Sequence, residues 1–313
     1  MKRAIVVGSK GQDGRLLMER LQQDGCEAVG IGRQDCDLRD RGQVFALLER
    51  IRPDEVYYVP AYHHSSEDRI AEDDGELFRR SHEVHVTGLI YYLEAIKERM
   101  PKTRLFYAAT SHIFGRPTEP LQDESTAIAP TNIYGITKAT GVHCCRYYRS
   151  AHGVFAAAGI LYNHESAYRR AGFVSQRIVS AAHAIRDGLQ DKFVIGDLSA
   201  RVDWGYAADY VEAMVRTLAV AEPDDFVVAT GETHTVQEFV EAAFRSAGLD
   251  WRSYVVENAS VITRKPTALC GNSAKLHRLT GWRPTVTFLE MISLLVDGQA
   301  APKRDETGER SSG

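Results

Sequence analysis

Tyr134 and Lys138 stand four residues apart, a spacing that places both side chains on one face of a helix. A neighbouring ammonium favours a phenolate, so Lys138 is expected to lower the pKa of Tyr134. A lowered phenol can exchange a proton with a hydroxyl or carbonyl near neutral pH. Such a pair suits hydride transfer between a carbinol carbon and a nicotinamide. Taken alone, Tyr-x-x-x-Lys is more often an ordinary surface pair. It gains weight from a β-type run, residues 104–108, that leads into Thr110-Ser111-His112 upstream of it.

The elements that must position these groups begin at the N-terminus. Residues 4–7 form a short apolar run suited to a buried parallel strand. It enters a glycine turn with Gly8, Gly11 and Gly14, and a helix over 13–24 follows, with Leu16, Leu17 and Leu21 on one face. Strand, glycine turn and helix together read as a pyrophosphate cradle: glycines allow close backbone approach, and the helix start offers unpaired N–H groups. Gln12 and Asp13 lie inside this turn.

The second strand, 27–31, ends at Gly32-Arg33. An acidic residue here suits a free ribose 2′-hydroxyl and an Arg suits a 2′-phosphate, so Arg33 favours NADP over NAD. Asp37 just beyond can cover the adenine edge. A helix over 41–52 and a strand over 55–59 lead to Pro60-Ala61-Tyr62, the turn expected over the cofactor. Residues 77–100 read as one long amphipathic helix, an element that in this architecture commonly forms a two-helix contact between copies.

A further buried strand, 154–161, ends in Tyr162-Asn163-His164-Glu165-Ser166. Ligands bind at the carboxyl ends of strands in open α/β sheets, so Asn163 and Glu165 are candidate substrate contacts, as is Ser111. Arg169, Arg170, Arg177 and Arg201 gather in the second half, an arrangement suited to a phosphorylated ligand. The chain reads as α/β, a doubly wound parallel sheet of Rossmann type with a smaller C-terminal substrate-binding lobe. Residues 1–165 are mainly the NADP-binding domain, residues 166–300 mainly the lobe interwoven with it, and residues 301–313 a disordered tail.

Composition limits the partners. The 313 residues carry a formal net charge of −4 with no basic run, which argues against nucleic acid. No apolar run reaches membrane-spanning length. The cysteines (Cys26, Cys36, Cys144, Cys145 and Cys270) are odd in number and lack a C-x-x-C pair, which fits free thiols in a reducing cytoplasm. His63-His64 lacks a matching ligand spacing, so no metal is expected.

These motifs together resemble the extended short-chain dehydrogenase/reductase superfamily. More narrowly they resemble its GDP-mannose 4,6-dehydratases, through Gly11-Gln12-Asp13-Gly14, Asn163-His164-Glu165-Ser166, Arg201-Val202-Asp203-Trp204-Gly205 and Asp209-Tyr210-Val211-Glu212-Ala213-Met214. The resemblance implies a GDP-sugar substrate, a homodimer or homotetramer, and an internal redox cycle. C4 of the sugar is oxidised with Tyr134 as base and Thr110 on O4. The C5 proton and a C6 hydroxyl are then lost, and hydride returns to C6. The family's proton-transfer Glu is His112 here, whose ordinary pKa near 6.5 also suits that work. The departure equally admits an NADP-dependent 4-keto-sugar reductase or epimerase on this scaffold. A catalytically idle dinucleotide-binding protein is the third reading, and the intact Tyr134 and Lys138 weigh against it.

Overall fold

The computed structural model describes residues 1–62, 73–261 and 267–298. The histidine pair His63-His64 and residues 301–313 lie outside that range. The strands in chain order are β1 (Arg3–Val7), β2 (Glu27–Ile31), β3 (Glu55–Tyr58), β4 (Arg104–Ala108), β5 (Ala156–Leu161), β6 (Asn163–Glu165), β7 (Phe193–Ile195), β8 (Arg201–Val202), β9 (Trp204–Tyr206), β10 (Asp225–Val228), β11 (His234–Thr235) and β12 (Val255–Glu257). The helices are α1 (Gln12–Gln23), α2 (Arg41–Ile51), α3 (Asp74–His82), α4 (Gly88–Arg99), α5 (Ile133–His152), α6 (Val174–Arg186), α7 (Ala207–Thr217), α8 (Val236–Ser246), α9 (Ala274–Thr280) and α10 (Phe288–Gly298).

Six strands form one parallel sheet in the order β2-β1-β3-β4-β5-β10. Helices α1 and α7 pack together in one layer, and α2, α4 and α5 in another. A parallel sheet covered in this way needs strands apolar on both faces, and Ala4, Ile5, Val6, Tyr57, Leu105, Phe106 and Ile160 are all buried accordingly. The direction of winding reverses between β1 and β3. The carboxyl ends of those strands therefore diverge and leave a crevice.

A second hydrophobic cluster is built by α6, α8, α10 and the strands near them, with Phe239, Phe244, Trp204, Met291 and Leu295 at its centre. Helix α8 opens with a capping box in which the Thr235 hydroxyl and the Glu238 carboxylate each accept a backbone N–H.

The helix expected over 77–100 differs in one respect. Helices α3 and α4 are joined by a π-type turn, Glu83–Thr87, which inserts an extra residue and turns His85 inward. Such bulges recur where a side chain must be re-aimed toward a site.

Candidate active site

The crevice between β1 and β3 opens into a cleft of about 1050 Å³. Its wall brings together Gly8, Gly11, Gln12, Asp13, Gly14, Arg33, Asp37, Ala61, Thr110, His112, Tyr134, Lys138 and Asn163. These residues come from six separate segments of chain.

The glycine turn follows from local geometry. Gly8 has φ +85°, a left-handed conformation that disfavours a side chain, and a Cβ there would stand 3.1 Å from the Pro60 nitrogen. At Gly14 a Cβ would lie 2.3 Å from the Gly8 carbonyl oxygen, so α1 packs directly on the turn. Gly11 caps α1 without a side-chain hydrogen bond, so no side chain shields the helix start. Bare N–H groups, a positive dipole end and glycines at closest approach fit the pyrophosphate of a dinucleotide.

Gln12 and Asp13 tie this turn to the far side of the cleft. Gln12 Nε2 donates to the His164 carbonyl at 3.0 Å, and the Ser166 hydroxyl donates to Gln12 Oε1 at 2.9 Å. His164 donates through Nδ1 to the Tyr162 carbonyl (2.7 Å) and through Nε2 to Asp13 (2.9 Å), and its ring stacks on Tyr210. Burial pushes Asp13 upward, but the charge and hydrogen bond of His164 outweigh it and hold the carboxyl at about 2. Burial lowers His164, and Asp13 reverses that into a net rise.

The pair sets a pH window for stability. Asp13 is lowered on folding, so its contribution is present above its unfolded value near 3.9 and is lost as the pH falls toward about 2. His164 is raised, so its contribution is present below its unfolded value near 6.5 and fades as the pH rises past it. Asp13→Asn should therefore lower the urea-unfolding free energy of the cofactor-free protein by roughly 2 kcal/mol between about pH 4 and 6.5. The deficit should shrink on either side. A deficit constant from pH 3 to pH 8 would show that the ion pair does not govern it.

Thr110 and Tyr134 meet at the centre. Thr110 lies two residues beyond β4, and its hydroxyl accepts the His112 N–H at 3.3 Å, capping a 3-10 turn over Ser111–Phe114. It is also hydrogen-bonded to Tyr134. The Tyr134 ring lies edge-on to two imidazoles, His85 at 5.4 Å and His112 at 5.9 Å between centroids. His85 accepts the Tyr62 N–H on Nε2 at 2.9 Å, and its Nδ1 meets the Thr137 hydroxyl at 2.8 Å. It thereby links the Ala61-Tyr62 turn to α5.

Lys138 differs from expectation in its effect. It is 1% exposed and donates to the Ala108 and Pro60 carbonyls at 2.7 and 3.1 Å. Burial brings it down to about 7, so near neutral pH it carries only part of a charge. Burial likewise pushes Tyr134 up to about 12, and the opposing influences are Arg169 and the Thr110 hydrogen bond rather than Lys138. Desolvation therefore outweighs the lysine that the four-residue spacing brings to Tyr134.

Four of the residues named from sequence stand off the cleft wall. Ser111 is buried and does not line the cleft, whereas its neighbours Thr110 and His112 do. Glu165 is buried where the chain has left β5 and paired β6 with β9, and it accepts the Ser175 hydroxyl at 2.6 Å with Arg169 3.3 Å away. Arg177 donates to the Val194 carbonyl (3.2 Å) beside Phe193. Arg201 is held by Thr233 through its hydroxyl (3.0 Å) and carbonyl (2.6 Å). Arg169 and Arg170 do line the cleft, together with Lys10, Arg39, Arg79 and Arg80, which the sequence did not single out. Arg39 grips Asp37 with two nitrogens, so Asp37 is engaged by protein.

Among the described residues no His, Cys, Asp and Glu cluster is arranged to hold a metal, and no helix is long and apolar enough to cross a membrane.

Comparison with known proteins agrees with this geometry. Residues 34–295 match the family described as GDP-mannose 4,6 dehydratase. GDP-mannose 4,6 dehydratase 2 of Arabidopsis thaliana is 34% identical, over 95% of this chain and 86% of its own length. The GDP-mannose 4,6 dehydratase of Drosophila melanogaster is 32% identical, over 93% and 84%. The solved structure of RMD from Pseudomonas aeruginosa complexed with NADPH has the same fold, with a TM-score of 0.81 over 95% of this chain and 98% of that one at 21% identity. The matched segment contains Thr110, His112, Tyr134 and Lys138, and the chain belongs to the GDP-mannose 4,6-dehydratase family of nicotinamide-dependent sugar-nucleotide dehydratases.

Proposed function

We propose that the cleft converts a GDP-linked, mannose-like sugar to its 4-keto-6-deoxy product, using NADP. The observation that carries this reading is the convergence of the glycine turn, Thr110, His112, Tyr134 and Lys138 on one cleft in a chain of this family. A nicotinamide dinucleotide held at the Gly8, Gly11 and Gly14 turn would supply a reversible hydride acceptor for the sugar. The protein's part is to hold the sugar and move protons. The Tyr134 oxygen, hydrogen-bonded to Thr110, takes the O4 proton in its phenolate form as C4 becomes a ketone. Lys138, fastened to two carbonyls, keeps the Ala108 strand end, the Pro60 turn and α5 in fixed relation. With a ketone at C4 the C5 proton is acidic, and its loss expels the C6 hydroxyl as water. His112 occupies the position through which the chain meets that end of the sugar.

The direct test is mass spectrometry of GDP-mannose incubated with the protein and catalytic NADP⁺. The expected product is lighter by one water. Unchanged GDP-mannose, with dinucleotide binding demonstrated, would overturn the reading.

Arg33, exposed on the cleft wall at the end of β2, supports the choice of NADP. A charge-assisted hydrogen bond contributes about 1.5–3 kcal/mol, so Arg33→Ala should weaken NADP⁺ binding by roughly ten- to a hundredfold and leave NAD⁺ binding little changed. Equal losses for both dinucleotides would exclude a 2′-phosphate contact. The reading also includes a cytoplasmic homodimer or homotetramer with the helical stretch 77–100 at its contact, which light scattering of the purified protein checks.

A further inference from the structure

His112 stands where the family resemblance expects a proton-transferring carboxylate, and its surroundings decide what an imidazole can do there. Asn132 is the N-cap of α5, and its Oδ1 accepts the Gly135 N–H at 2.8 Å. That bond fixes the orientation of the amide, because only the oxygen can face an N–H donor. The amide nitrogen Nδ2 is consequently the atom that lies 3.2 Å from His112 Nδ1. An amide NH₂ can only donate, so Nδ1 must be the unprotonated nitrogen of the ring. The neutral ring then carries its proton on Nε2.

We propose that Asn132 is a positioning residue that fixes His112 as a neutral Nε2–H donor, so that His112 holds a sugar oxygen by a hydrogen bond and does not remove the C5 proton. The proposal rests on the dehydratase reading for its substrate and on the Asn132 contact for its chemistry. To act as a base at Nε2, neutral His112 would need its proton on Nδ1, pointing at the Asn132 N–H. To act as an acid from the cation it would need the same proton in the same place. Both states set two donors against each other unless Asn132 turns and releases Gly135 from the cap. His112 Nε2–H can still donate to an oxygen of the bound sugar, and no proton leaves the ring in doing so.

Long-range ¹H–¹⁵N spectra of the histidine rings in the NADP⁺-loaded enzyme test the tautomer, with His112→Gln identifying the His112 signals. The expected wild-type spectrum has a pyridine-type, unprotonated Nδ1 and a protonated Nε2. Asn132→Asp keeps an oxygen for the Gly135 N–H and offers a second one to Nδ1–H. It should move the proton to Nδ1, raise the titration midpoint of His112, and speed exchange of the C5 proton into D₂O at least tenfold. A protonated Nδ1 in the wild type, or a spectrum that Asn132→Asp leaves unchanged, would overturn the proposal.

Kinetics give an independent arm. Gln at 112 retains an N–H donor and has no titrating nitrogen. His112→Gln should therefore lose only about tenfold in dehydration, and His112→Ala a further tenfold or more. A loss of roughly 10²–10⁴-fold in His112→Gln, the range for general acid–base catalysis, would make His112 the proton-transfer group and refute the proposal. If wild-type protein dehydrates no GDP-sugar, the dehydratase reading fails, and the spectra still decide the tautomer.

Discussion

Tyr134→Phe will lower the rate of C4 oxidation by roughly 10²–10⁴-fold, the usual contribution of a positioned proton-transfer group. The substitution removes one oxygen and nothing else. The ring keeps its edge-on contacts with His85 and His112, and α5 keeps its cap at Asn132, so the loss is chemical rather than structural. The phenol resists ionisation in this setting, since burial pushes it up to about 12. Tyr134 can accept the O4 proton only as its phenolate, so its own proton must leave before or as O4 gives one up, and positive charge close by favours that loss. Single-turnover reaction of GDP-mannose with excess NADP⁺-loaded enzyme measures the step directly. A variant retaining more than a tenth of the wild-type rate would remove Tyr134 from the mechanism.

Gly14→Ala is expected to be as damaging through geometry alone. The added methyl would stand 2.3 Å from the Gly8 carbonyl oxygen, 2.6 Å from Ser9 Cα and 2.8 Å from the Ser9 carbonyl carbon, all backbone atoms. No rotamer relieves such contacts, so α1 must retreat from the turn. Overpacking of this kind costs about 1–3 kcal/mol of stability. The larger consequence is expected for the dinucleotide, whose proposed pyrophosphate site is made of the atoms that move. A loss of about 3 kcal/mol in binding corresponds to somewhat more than a hundredfold in Kd. Fluorescence titration with NADPH, beside circular dichroism to show that the variant folds, is the measurement. Wild-type affinity in a folded Gly14→Ala protein would refute the close-approach argument.

The parts of this site that could be read from sequence share a cause. Gly8, Gly11 and Gly14 are legible because backbone geometry admits few alternatives to glycine. Tyr134 and Lys138 are legible because helical spacing alone makes them neighbours. The parts that could not be read depend on direction or on long-range packing. Proximity to a strand end suggested Glu165, yet the chain switches from β5 to a separate pairing of β6 with β9, and Glu165 turns to Ser175. Thr110, Ser111 and His112 are consecutive, and only the fold reveals that the middle one is off the cleft wall. Arg39, Arg79 and Arg80 reach the cleft from elements whose own sequence gives no reason to single them out. The sign of the Tyr134 shift was hidden for another reason: spacing reports who is near, whereas burial depends on the whole fold and here outweighs the charge.

The last strand of the central sheet has a consequence for how the molecule is made. β10 pairs with β5 but is encoded after β6 to β9, and the helix beside it, α7, is anchored by Trp282, which donates to the Asp209 carbonyl at 2.8 Å. During synthesis the strand order β2-β1-β3-β4-β5 can assemble first, with the outer N–H and C=O groups of β5 unpaired. Translation from β5 to Trp282 takes on the order of ten seconds at common ribosomal speeds. For that interval the nascent chain presents an open sheet edge, a template for pairing with another copy. Yield of this protein in cells should therefore depend on chaperone supply and translation rate, and a fragment ending before Asp225 should aggregate rather than persist as a half-sized enzyme.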